Sequence, residues 1–197
     1  MRILIDAMGG DNAPKAIVEG AVQALAERKD FDIVLIGDSK MITDCLSRLK
    51  YDRNRLFVRH TTEAITNNDQ PSKAIAKKKD SSMVVGFNML KNGEGDCFIS
   101  AGSSGALLIG SVCIVKRLKT IDRPVLGSIY PTKTGIGLLV DSGLNLVCRS
   151  DYYLQFAQMG DKGNSACQSS FSIIVLSLSS LSPEGNAALK TSPSVQR

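Results

Sequence analysis

The apolar positions along this chain fall into runs of two kinds, and the kinds alternate. Arg2-Ile3-Leu4-Ile5-Asp6-Ala7 predicts a first strand, followed by the loop Met8-Gly9-Gly10-Asp11-Asn12-Ala13-Pro14. From about residue 15 to residue 28 the period lengthens, and Ile17, Val18, Ala21, Val22 and Leu25 share one side of a helix. Asp11 or Asn12 is placed to cap that helix, with Pro14 near its first turn. Asp32-Ile33-Val34-Leu35-Ile36-Gly37 predicts the second strand, residues 40–49 a helix, and Leu56-Phe57-Val58 a third strand ending at His60. A polar, irregular stretch over 61–68 precedes a helix opened by Gln70-Pro71-Ser72 and running through Lys78. Lys79-Asp80-Ser81-Ser82-Met83 then starts another helix, which continues through Val84, Val85, Phe87, Met89 and Leu90 to Gly93. Asp96-Cys97-Phe98-Ile99 reads as a buried strand and residues 106–118 as a largely buried helix. Apolar strands at 125–130 and 137–140 follow. Alternation at this spacing predicts a three-layer α/β/α fold with a mainly parallel sheet.

After Gly160 the pattern gives way to a crowd of serines, from Ser165 through Ser182, followed by Pro183, Gly185 and Pro193. Ile173-Ile174-Val175-Leu176 is the one apolar run among them, enough for a single strand. The expected division is an α/β domain over 1–160 and a divergent serine-rich tail over 161–197, linker-like or disordered.

Composition narrows the class only a little. The chain has 197 residues, 43% of them hydrophobic, and a net charge of +5. That suits one substantial core in a soluble protein. Lys73, Lys77, Lys78 and Lys79 form the one tight basic cluster, with few aromatics near it, so nucleic acid is not expected as a partner. The five cysteines are odd in number and contain no C-x-x-C pair. They read as reduced thiols in a cytoplasmic protein rather than a metal site. Arg2 and Asp6 interrupt the N-terminus, so no signal peptide is expected, and residues 171–178 fall well short of the roughly 20 apolar residues of a membrane span. His60, the only histidine, reads as a structural hydrogen-bonding residue.

The candidate chemistry lies in the glycine-bearing loops after strands. Ser100-Ala101-Gly102-Ser103-Ser104-Gly105-Ala106 joins a strand to a helix, and such a loop aims backbone N–H groups at one point backed by the helix dipole. Gly102 and Gly105 allow close approach to the backbone, and the Ser103 and Ser104 hydroxyls add donors. The same loop is equally a tight turn with a serine N-cap. It has neither the lysine of a P-loop nor the spacing of a dinucleotide fingerprint. Asp6 ends the first strand, facing the crevice where open α/β sheets bind ligands; tying the glycine loop by hydrogen bonds accounts for it as well. Lys79, beside a helix start, is placed to meet an anion or to solvate a helix face. Asp141-Ser142-Gly143-Leu144-Asn145 makes a third such loop, and all three are expected on one edge of the sheet.

Taken together, several stretches resemble the bacterial phosphate:acyl-carrier-protein acyltransferases, the PlsX family. They are Ile5-Asp6-Ala7-Met8-Gly9-Gly10-Asp11 with Ala13-Pro14, His60 with Glu63, Pro71-Ser72, and Lys78-Lys79-Asp80-Ser81-Ser82-Met83. Ser100-Ala101-Gly102, Gly105-Ala106, Asp122-Arg123-Pro124, Asp141, Gly143, Asn145, Leu154-Gln155-Phe156-Ala157 and Met159-Gly160 continue the match in order. Family members usually carry Asn-Thr where this chain has Ser103-Ser104, and Val and Ala near Ser142 and Leu144. They are also much longer, so the fold is expected to be incomplete relative to the family. Beyond Gly160 there is only a faint echo around Gly185-Asn186, which truncation or a frameshifted reading accounts for.

The resemblance implies transfer of a fatty acyl group from acyl-carrier protein to inorganic phosphate, giving an acyl phosphate for phospholipid synthesis. Phosphate is then the nucleophile and a thiolate the leaving group, so no Ser/His/Asp triad is needed. Gly102, Ser103, Ser104 and Gly105 are assigned to phosphate or oxyanion contact, with Lys79 and Ser82 neutralising charge. Asp6, Gly9, Gly10, Asp11, Asp141 and Asn145 would shape the crevice. No cofactor and no metal are expected. The resemblance further implies a homodimer and a cytoplasmic enzyme that meets the inner face of the membrane peripherally. Two rivals stand beside this reading: an inactive half-domain that keeps dimer or carrier-protein contacts, and a small-molecule phosphate-binding module.

Overall fold

A computed structural model describes residues 1–117, 121–133, 135–142, 145 and 147–167. The first part of the chain gives β1 (Arg2–Asp6), α1 (Lys15–Glu27), β2 (Asp32–Gly37), α2 (Ser39–Leu46) and β3 (Leu56–His60). Then come α3 (Pro71–Lys77), α4 (Ser82–Lys91), β4 (Cys97–Ile99) and α5 (Ser104–Gly110). A hairpin of β5 (Gly127–Thr132) and β6 (Gly135–Val140) and the helix α6 (Ser150–Cys167) complete the described elements.

Strands β1 to β4 form one parallel sheet in the order β3-β2-β1-β4. Alternate residues of a strand point to opposite faces, and here both faces are covered. Ile3, Ile5, Ile33 and Leu35 pack with Val18, Ala21, Val22 and Leu25 of α1 and with Ile42 and Leu46 of α2. Leu4, Val34 and Ile36 face the other way, onto Val85, Met89 and Leu90 of α4. A further cluster joins Ala74 and Ile75 of α3, Met83, Val84 and Phe87 of α4, and Ala106 of α5. The expected α/β/α layering is therefore present.

Four details differ from the sequence-based expectation. The strand at 97–99 lies at a sheet edge rather than inside, with Ile99 44% exposed, because only β1 pairs with it among the described residues. Neither Asp11 nor Asn12 caps α1 with its side chain; Pro14 occupies the cap position. The helix expected over 106–118 begins earlier, at Ser104, and changes at Ser111 into a π-helical turn over Ser111–Val115, where the Lys116 N–H donates to the Ser111 carbonyl. Lys116 then ends it at φ +77°; Leu118 lies outside the described residues. Finally, β5 and β6 pair antiparallel in a sheet of their own instead of extending the parallel one. They pack with α6 around Ile121, Val125, Phe156 and Met159.

Helix α6 crosses Gly160 and runs to Cys167. The rest of the expected serine-rich tail, 168–197, lies outside the described residues.

Candidate active site

In this sheet β1 leads through α1 to a neighbour on one side, β2, while its other neighbour, β4, arrives much later in the chain. The helices that follow β1 and β4 therefore lie on opposite faces, and the carboxyl edge between them is where open α/β sheets form ligand crevices. The register Ile5↔Ile99 sets Asp6 beside Ser100.

The loops that follow these two strands are sealed to each other. Asp6 is 2% exposed; one carboxylate oxygen accepts from the Met8 N–H at 3.1 Å and the other from the Ser100 hydroxyl at 2.7 Å. The Ser100 oxygen in turn accepts the Gly102 N–H at 3.1 Å. Gly9 lies over this relay so closely that a Cβ would stand 2.5 Å from Asp6 Oδ2, 2.8 Å from Ser100 Oγ and 2.9 Å from Gly102 N. Gly10, at φ +105°, is in the left-handed region that favours glycine. Of the two readings of Asp6, the tie between loops is the one its hydrogen bonds express. Ser100 is the link; its position opposite Asp6 depends on a strand pairing that the sequence does not display.

The glycines of the second loop have neighbours that are protein. A Cβ on Gly102 would lie 3.2 Å from Gly9 Cα and 3.5 Å from Met83 Cε, and one on Gly105 would lie 3.1 Å from Pro71 Cγ. Both positions are thus tight for a larger residue; the Gly102 N–H is taken by Ser100, and Gly105 is the second residue of α5. The Ser103 hydroxyl caps that helix by accepting the Ala106 N–H at 3.4 Å, and Ser104 is exposed at its first position. The serine N-cap is therefore present.

Met83 brings the start of α4 to the same junction. Ser81 caps α4 by accepting the Val84 N–H at 3.4 Å, and Ser82 is 1% exposed, its N–H bound to the Glu63 carbonyl. Lys79 is exposed and its ammonium reaches the Ile75 carbonyl at 3.4 Å, at the end of α3. Lys78 is held more firmly, donating to Asp69 Oδ2 at 2.7 Å and to the Ala64 carbonyl at 2.8 Å. The Lys78 hydrogen bond leads the effects that hold the Asp69 carboxyl down at about 2; Thr66 hydrogen bonds help. Asp80 is likewise lowered, chiefly by the hydroxyl and N–H of Thr62. Asp11 is exposed and accepts from Asn67 Nδ2 at 3.4 Å, joining the β1 loop to the 61–70 segment. His60 accepts the Ser39 N–H through Nδ1 at 3.1 Å, a structural role as expected.

Asp141 and Asn145 are placed differently from the expectation that all three loops share one sheet edge. Because β6 belongs to the hairpin, their hydrogen bonds tie that hairpin together. Asp141 accepts from the Leu126 N–H at 3.3 Å and from Asn145 N and Nδ2, both at 2.8 Å, and Asn145 Nδ2 also reaches the Pro124 carbonyl at 3.1 Å. Among the described residues no group of His, Cys, Asp and Glu is arranged to hold a metal ion, and no helix is long and apolar enough to cross a membrane.

The layered α/β fold is similar to that of a solved phosphotransacetylase from Streptococcus pyogenes. It superposes with a TM-score of 0.58 at 14% identity, over 80% of this chain and 51% of that one, a likeness of fold. A family model described as "Fatty acid synthesis protein" matches residues 1–166, and the chain belongs to that family. Relatives include the phosphate acyltransferase of Acetivibrio thermocellus, 53% identical over 160 residues, and that of Clostridioides difficile, 49% identical over 162. A third, from Thermoanaerobacterium thermosaccharolyticum, is 50% identical over 161 residues. These matches take in 81–82% of this chain but 47% of each relative, so the chain spans about half the length of the curated relatives it matches.

Proposed function

We propose that this chain carries the phosphate-binding half of an acyltransferase that moves a fatty acyl group from acyl-carrier protein to inorganic phosphate. The observation that supports it most is the Asp6–Ser100–Gly102 relay, which holds two loops rigid at the switch point and presents the start of α5 beside them. A phosphate oxygen attacks the thioester carbonyl, a C–O bond forms, and the C–S bond breaks. The thiolate leaves and takes up a proton from solvent, and the acyl phosphate departs. What the protein must supply is position and charge stabilisation. The Gly105 N–H with the Ser103 and Ser104 hydroxyls would meet phosphate or the thioester oxyanion, Gly102 would hold the loop in place through its bond to Ser100, and Lys79 would turn from the Ile75 carbonyl to neutralise charge beside Ser82. Asp6, Gly9, Gly10 and Asp11 hold the first loop in place. Asp141 and Asn145 act at a remove, by fixing the hairpin.

The inactive half-domain is the second reading, favoured by Ser82 being 1% exposed and by Lys79 resting on the Ile75 carbonyl. Acyl-carrier protein loaded with a fatty acyl group, mixed with phosphate and this chain, tests both. Phosphate-dependent release of the carrier thiol, with acyl phosphate trapped as a hydroxamate, supports the transferase. Carrier binding without either product supports the half-domain.

A further inference from the structure

Helix α5 and the π-helical turn after it do more than present an N-terminus. Along their outer side runs an open groove of about 550 Å³ walled by Leu108, Ile109, Val112 and Cys113, with Pro124 and Tyr152 opposite. That volume is in the range of small-molecule sites. Arg117, Asp122 and Arg123 also line it at its exposed end, and each has a partner in the wall, Asp122 Oδ2 accepting from Gln155 Nε2 at 3.2 Å. Arg117 donates to the Asp122 carbonyl, and Arg123 lies 5.8 Å from the centre of the Tyr152 ring. The two arginine stems add hydrocarbon, in the manner of long cationic side chains on apolar surface.

The groove begins one helical turn from the proposed site. Residues four apart on a helix lie one above the other, so Leu108 sits directly below exposed Ser104 and Ile109 below Gly105. The rise from loop to groove is only about 6 Å. Val112 and Cys113 carry the same side onward into the π-helical turn, a distortion found often at functional sites. We infer that this groove holds the hydrocarbon chain of the acyl group, with its head at the Gly102–Gly105 loop and its tail running toward Arg117. The inference rests on the acyltransferase reading and gives the acyl chain a place on this half of the protein.

Cys113 makes the inference testable, because it is exposed and lines the groove, whereas Cys45, Cys97 and Cys148 are half-buried elsewhere. The probe is decyl phosphate, an unreactive relative of the acyl phosphate, used below its micelle concentration with the full chain. Alkylation of Cys113 by iodoacetamide, followed by peptide mass spectrometry, should slow at least five-fold at saturation. The rates at Cys45, Cys97 and Cys148 should stay unchanged, and inorganic phosphate alone should give no protection. Across butyl, hexyl, octyl and decyl phosphate, affinity should rise roughly three- to four-fold for each methylene buried. Leu108→Trp, which fills the groove, and Val112→Glu, which charges it, should each flatten that series. Equal Cys113 alkylation with and without decyl phosphate would overturn the inference, and so would protection that survives both substitutions. An unreactive Cys113 in the ligand-free chain would overturn it too, by showing the groove already covered. Acyl phosphate formation without Cys113 protection would remove the groove and leave the reaction; protection without turnover would do the opposite.

Discussion

Adding one methyl group at Gly9 is the sharpest test of the sealed loops. In Gly9→Ala the new Cβ would fall within 3.0 Å of three atoms: Asp6 Oδ2, Ser100 Oγ and the backbone nitrogen of Gly102. No rotation of a side chain relieves the last contact, so the loops must part. Overpacking of a tight interior costs about 1–3 kcal/mol. Parting the loops also stretches the Ser100–Asp6 hydrogen bond, and a bond to a charged group contributes about 1.5–3 kcal/mol. The two effects overlap, and the expected loss is about 2–4 kcal/mol. Gly20 is the control, because a Cβ there meets nothing within 4 Å and the position is inside α1. Gly20→Ala should stabilise by about 0.8–1 kcal/mol through helix propensity alone. Urea unfolding of both variants and the parent reads the difference directly. A Gly9→Ala loss below about 0.5 kcal/mol, on the usual scale of surface substitutions, would refute the sealed junction.

Other consequences are smaller and separable. Asp69 sits below its ordinary 3.8, at about 2, so its stabilising contribution is complete above about pH 4 and fades as pH falls toward 2. Asp69→Asn should therefore be less stable than the parent at pH 7, with the gap in urea midpoint closing between pH 4 and 2. Ser103→Asn keeps a good N-cap residue and adds an amide donor; a gain of about 1 kcal/mol would tighten phosphate binding about five-fold in titration calorimetry. Asn145→Ala removes the side-chain bonds to Asp141 and Pro124. It should speed limited proteolysis in 121–142 while leaving phosphate affinity within two-fold.

How much of this was visible in the residues depends on the range of the contact. Strands β1 and β2 announce themselves because both of their faces are buried, which leaves an uninterrupted apolar run. The same reasoning misplaced β4. Cys97-Phe98-Ile99 is as apolar as an inner strand, yet an apolar run does not say how many neighbours it has. Nor does it carry direction, which is why the run ending at Val140 reads equally as parallel or as the second arm of a hairpin. The candidate site divides in the same way. Ser103 as a helix cap and the glycine loops were legible, being local. The Ser100–Asp6 bond, and the use of Asp141 and Asn145 within the hairpin, follow from which strands pair with which, and no local pattern encodes that.

The bond between Ser100 and Asp6 joins residues 94 apart in the chain, and that separation bears on the order in which the protein assembles. Closing a loop of that length costs about 4 kcal/mol of chain entropy on a (3/2)RT ln n scale. The β5–β6 hairpin closes over a span of a few residues, and β1–β2 over about 30, the parallel register Arg2↔Asp32 being its first rung. The first helical crossover and the hairpin can therefore form early, while β4 must wait until the intervening helices have brought its ends within reach. Residues 100–105 would then settle later than the first crossover and open before the centre of the sheet in local unfolding. Amide exchange in native buffer should rank accordingly, with Gly102 and Ala106 exchanging well before Leu4 and Leu35 at the centre of the sheet.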